Sequence, residues 1–73
     1  MEMTPQPITI LLNGNPHPLV APVTLAALLE SLGLAGKPVV VELDEAVVFP
    51  RDYPHTTVPA GSRVEVVTLA AGG

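Results

Sequence analysis

Cysteine is absent from this 73-residue chain. No disulfide can therefore brace the fold, and no thiolate is available to bind metal or attack a substrate. Tryptophan is also absent, and Phe49 and Tyr53 are the only aromatics. That is too few for the stacking platforms that hold single-stranded nucleic acid. Strong cations are scarce: Lys37, Arg51 and Arg63 stand against seven acidic residues, for a formal net charge of −4. Such a balance lacks the basic footprint of a nucleic-acid binder. It suits a basic protein surface, and equally it aids solubility. No apolar run approaches the ~18 residues of a membrane-spanning helix. Met1-Glu2-Met3-Thr4-Pro5 has neither the basic nor the apolar region of a signal peptide. These absences lead to the expectation of a cytoplasmic protein with neither nucleic acid nor membrane as partner.

Aliphatic residues, in contrast, are abundant. Leu, Ile and Val number 23, enough to build the core that a domain of this size needs when it buries only about 60% of its unfolded surface. One domain over residues 1–73 is expected, with residues 1–6 a loose extension and 69–73 a flexible tail. Ile8 to Leu12 alternates as a first strand, with Ile8, Ile10 and Leu12 on one face and Thr9 and Leu11 on the other. Asn13-Gly14 then signals a hairpin. A short second strand is placed at Leu19 to Ala21, an edge position because Pro16, Pro18 and Pro22 surround it.

The helical signal is the clearest. Leu25, Leu28, Leu29 and Leu32 repeat at i, i+3, i+4 and i+7 within Thr24 to Leu32. Thr24 suits the N-cap, Val23 and Leu28 the hydrophobic staple, and Gly33 the position after the C-cap. Val39 to Leu43 alternates as a third strand, Asp44-Glu45 turns, and Ala46 to Val48 forms a short fourth. Pro50 to Pro59 carries too many prolines for regular structure. Ala60-Gly61-Ser62 turns into a last strand, Arg63 to Thr68. One helix cannot cover both faces of a sheet, so the fold class is α+β: a mixed sheet of four to five strands with one helix on one face. The outer face keeps Leu11 and Val67, with Leu69 on the parity of Val67. Such a patch either marks a partner site or lies under the segment from Phe49 to Pro59.

The chain finishes in Gly72-Gly73. Glycine lacks a Cβ and can thread a narrow channel that any other residue would block, so the terminal carboxylate is read as a reactive group. A frayed end or a cloning scar is the plainer explanation.

Element order and this ending resemble the β-grasp fold of ubiquitin-like proteins, and more closely the ThiS family of sulfur carriers. Leu12-Asn13-Gly14, Thr24-Leu25-Ala26-Ala27-Leu28-Leu29 with Leu32-Gly33, Val40-Val41-Glu42-Leu43-Asp44, Pro50-Arg51 with Tyr53, and Ala60 to Val67 carry the resemblance. Asp44 stands where the family usually has Asn, Ser62 where Asp is common, Ala71 where a third Gly is frequent, and Phe49 looks inserted. The resemblance implies that the chain is not an enzyme but a protein co-substrate. Gly73 would be adenylated and converted to a thiocarboxylate for thiazole formation in thiamine biosynthesis. The implied partners are a ThiF-type activating enzyme that uses ATP and magnesium, a persulfide donor protein, and the thiazole synthase ThiG. No cofactor is expected to be bound. Gly72, Ala71, Ala70 and Leu69 would enter the enzyme's channel.

Leu11, Val67, Phe49 and Arg51 are candidate partner-binding residues; Phe49 and Tyr53 alternatively close the core, and Arg51 alternatively holds its loop. His17 and His55 lie far apart among prolines and are read as loop residues, so no metal site is expected. Glu42, Asp44 and Glu45 read as a solvated turn. Other readings keep the fold and change the role: a carrier for molybdopterin, tRNA thiolation or cysteine synthesis, a protein modifier, or a non-reactive β-grasp interaction domain.

Overall fold

The leucine stripe becomes helix α1, Leu25–Ser31, whose Leu25, Leu28 and Leu29 are buried. The structure, a computed structural model, describes residues 6–69. Both helix ends are closed by the residues that the sequence marks for the purpose. The Ala27 N–H donates to Thr24 Oγ1 at 3.1 Å, satisfying one orphan donor of the first turn. At the other end Gly33 adopts φ 74°, its N–H donates to Glu30 O, and the Leu34 N–H donates to Leu29 O at 2.8 Å. That paired geometry is a Schellman motif, and it needs the left-handed conformation that glycine adopts without steric cost.

Five strands flank this helix: β1 Ile8–Leu12, β2 Asn15–Leu19, β3 Val39–Leu43, β4 Ala46–Val48 and β5 Arg63–Thr68. Their order in the sheet is β2-β1-β5-β3-β4. β1 and β5 run parallel and every other neighbouring pair is antiparallel. This is the mixed sheet, with one helix on one face, that the sequence implies. Its inner face supplies Ile10, Val41, Val64 and Val66 to a core shared with the buried leucines of α1.

Two segments differ from the sequence reading. β2 begins at Asn15, not Leu19, because Asn13 and Gly14 (φ 50° and 82°) complete a two-residue turn and Leu12 pairs directly with Asn15. The prolines do not prevent this. The Leu11 and Asn13 N–H groups point away from β2, donating to Ser62 O and Val64 O. Pro16 and Pro18 stand opposite Leu11 and Thr9, the positions whose N–H would face solvent on an edge strand, so no ladder bond is lost. The second difference is a 3₁₀ helix at Pro50–His55 within the proline-rich segment. Pro50 supplies a ready-made φ at its first position, and the Asp52 N–H closes the first turn on Phe49 O at 2.8 Å. Beyond it, Val58 is fully buried, and its N–H donates to Val23 O while Leu25 donates to Thr56 O. The segment is thereby stitched to the start of α1.

Asn13 joins distant parts of the chain. Its side-chain Oδ1 accepts the Val66 N–H at 2.7 Å and its Nδ2 donates to Val66 O at 3.2 Å. The amide thus replaces a rung of the ladder where β1 has already turned away from β5. Asn13→Gly keeps a residue comfortable at positive φ and removes only these bonds. It should destabilise the fold by about 1–2 kcal/mol, measured by urea unfolding; unchanged stability would show that the bridge contributes nothing.

Candidate functional site

Alternation along β5 divides its side chains between two environments. Val64 and Val66 point into the core, whereas Arg63, Glu65 and Val67 point out on the face that α1 does not cover. Cross-strand register arranges that outer face in rows. Val67 stands opposite Val40, and the extended backbone of Phe49 carries the same row one strand further, beyond the Val48–Val41 pair. The next row is Glu65, Glu42 and Val47. The third holds Arg63 beside Leu11. Val40, Val47, Phe49, Val67 and Leu69 are all substantially exposed, from 38% for Val40 to 56% for Val67. A row of large apolar side chains at that exposure is the feature that partner sites share.

The proline-rich segment does not cover this row. Its 3₁₀ helix packs against α1 on the opposite side, where Tyr53 joins the core margin. The patch is therefore open. Phe49 belongs to its edge and not to the core, while Tyr53 belongs with the core. Arg51 lies over the Phe49 ring, its Cζ 5.5 Å from the centroid, with Nε 3.9 Å from Asp52 Oδ2. Its side chain remains mostly exposed, so Phe49 and Arg51 face solvent as a unit. Leu11 and Val67, in contrast, are not brought together. They sit two rows apart, roughly 13 Å along the strand direction at ~3.3 Å per residue.

The acidic residues are also redistributed. Asp44 turns out to be structural: its Oδ1 accepts the Arg63 N–H at 2.8 Å, and its own N–H donates to Arg63 O. Asp44 and Glu45 both have positive φ, and Glu45 faces Arg63 at 3.9 Å. Glu42 leaves that turn and faces Glu65 instead. Only the pairing of β3 with β5 reveals this, so sequence periodicity could not. No cluster of His, Cys, Asp or Glu suited to a metal ion occurs among the described residues.

The exit from β5 adjoins the apolar row. The Leu69 N–H donates to Pro38 O at 2.9 Å, just before β3 begins. Ala70, Ala71, Gly72 and Gly73 lie outside the described residues. On the helix side, a cavity of about 510 Å³ opens among Ala26, Leu29, Leu34, Pro38, Tyr53 and Pro54. Burial there raises the Tyr53 hydroxyl above its ordinary pKa.

A family model described as the ThiS family matches residues 10–73. The chain belongs to the ThiS family. Its fold is the β-grasp fold. A crystal structure of the thiamine biosynthesis protein ThiS from Geobacter metallireducens is similar at a TM-score of 0.78 and 29% identity, over 90% of this chain and all of that one. A curated relative, the thiazole synthase of Magnetococcus marinus (strain MC-1), is 41% identical over 64 residues. That match takes in 88% of this chain, which spans only 20% of the relative's length. No helix among the described residues is long and apolar enough to cross a membrane.

The two environments of β5 should respond differently to substitution. Val66→Ala should cost roughly 2–3 kcal/mol through lost burial and a residual cavity. Val67→Ser, one residue on, should stay within about 0.5 kcal/mol of the parent. Thermal or urea unfolding of both variants checks this, and equal effects would contradict the assignment of faces.

Proposed function

We propose that this ThiS-family chain carries sulfur as a thiocarboxylate on Gly73 and delivers it for thiazole formation in thiamine biosynthesis. The observation that carries this reading is the extent of the family match, which runs through Gly73 itself. A free α-carboxyl has a pKa near ~3.5, so Gly73 would present a carboxylate at neutral pH. Its carbonyl carbon is too electron-rich to accept a nucleophile. Transfer of AMP from ATP, with release of pyrophosphate, makes a mixed anhydride and gives that carbon a good leaving group. A persulfide sulfur then attacks and AMP departs, leaving an acyl disulfide. Two-electron reduction by a thiol cleaves the sulfur–sulfur bond and leaves the thiocarboxylate.

The chain has no cysteine, so the persulfide sulfur and the reducing thiol both come from other molecules. Its own part is to present the tail. From Leu69, four more residues reach at most ~14 Å when extended, and their small side chains suit a narrow channel whose walls pair with main-chain groups. An activating enzyme of the ThiF type would supply the ATP chemistry with magnesium. Thiazole synthase is the proposed acceptor, supported by the relative of that name.

Intact-mass analysis tests the proposal. After incubation with a ThiF-type enzyme, ATP, magnesium, a persulfide donor and a thiol, the chain should gain the mass of one oxygen exchanged for sulfur, localised to Gly73. An unchanged mass, with an enzyme active on its own carrier, would overturn the reading.

A further inference from the structure

We infer that the cavity between α1 and the 3₁₀ helix is a contact site for the protein that takes the tail. It receives an apolar side chain of that partner, and Lys37 pairs with a carboxylate next to that side chain. The inference rests on the carrier reading for the identity of the partner, and on the lining of the cavity for its chemistry.

The walls come first. The cavity holds about 510 Å³, a size in the range of sites that enclose an apolar group. Ala26 of α1 forms one wall, Pro38 just before β3 a second, and Pro50, Tyr53 and Pro54 of the 3₁₀ helix a third. The space stays open because Ala26 is small, where a longer side chain on the same helix position would enter it. Each proline fixes its own φ, so much of the wall is rigid before anything binds. A preformed wall loses little freedom when it is covered, and more of the burial then appears as affinity.

The polar part of the lining sets the charge of the visitor. Lys37 and Tyr53 both line the cavity. The ion pairs among the described residues are Arg51 with Asp52 and Arg63 with Glu45, so neither engages Lys37. Its ammonium attracts a carboxylate and repels a cation. Tyr53 adds a hydroxyl that stays neutral, since burial raises its pKa, and a neutral hydroxyl is a further donor. An apolar anchor beside a charge that loses water on docking is a usual composition for an interface centre.

Location selects the partner. The Leu69 N–H donates to Pro38 O at 2.9 Å, and Pro38 is itself part of the cavity wall. The four residues after Leu69 span at most ~14 Å. A protein that holds Gly73 therefore closes on this end of the molecule, within reach of the cavity.

Titration of the chain against a purified ThiF-type activating enzyme and against thiazole synthase tests the inference, and binding is read without any need for sulfur transfer. K37E should weaken Kd by about tenfold at low salt for at least one of the two enzymes, and K37R should keep it. A26F, which fills the cavity, should weaken Kd at least comparably, with a melting transition that shows it folded. Tyr53 is the only tyrosine, so ring signals of tyrosine-labelled carrier should shift when that enzyme is added. Wild-type binding that K37E leaves unaltered would overturn the inference, even where sulfur gain at Gly73 upholds the carrier reading. Binding to neither enzyme would overturn it as well, as would unmoved Tyr53 signals in the saturated complex. Wild-type self-association that K37E abolishes would assign the cavity to a second copy and overturn it too.

Discussion

A single helix has to close a five-stranded sheet, and it can cover only one face. The consequence is plainest in β5, which lies between β1 and β3. Alternate residues along it serve opposite purposes. Val64 and Val66 are buried under α1, while Glu65 and Val67 remain in water on the uncovered side. A chain without disulfides must hold its core by aliphatic packing alone, so the inner face is filled from every element. The outer face stays uncovered by α1, and the strand that organises the core runs on to Leu69.

Much of this was legible in the sequence because it depends on local rules. The spacing of Leu25, Leu28, Leu29 and Leu32, with Thr24 before and Gly33 after, announces a capped helix whose ends match the hydrogen bonds observed. β3 and β5 follow from their alternate positions and β4 from the Asp44-Glu45 turn before it, and the outward position of Val67 follows from parity along β5. β2 starts earlier than Pro16, Pro18 and Pro22 suggest, because the Asn13-Gly14 turn pairs Leu12 directly with Asn15. Which proline positions cost a hydrogen bond depends on which edge of β1 faces β2, a fact that only the sheet supplies.

Long-range partnerships were not legible. The Asn13 amide meets Val66 across 53 positions of sequence. Asp44 receives the first N–H of β5. Glu42 belongs by sequence with the acids of the turn, but the pairing of β3 with β5 sets it against Glu65. Val58 looked like part of a structureless proline segment and is instead a core residue. Leu11 and Val67 share a face, as parity requires, yet lie in separate rows because β1 and β5 are parallel with a stagger. In the candidate site, therefore, residue types and faces could be read from the sequence, and adjacency could not.

In the proposed function, stability and chemistry separate along one strand: the core ends with β5, and the chemistry falls to the residues beyond Leu69. Removal of Gly73 alone tests that separation most directly, with unfolding free energy and sulfur loading measured on the same preparation. Stability should stay within about 0.5 kcal/mol of the full chain, and loading should be lost completely. Substantial loading of the shortened chain, or a collapse of its fold, would contradict the separation.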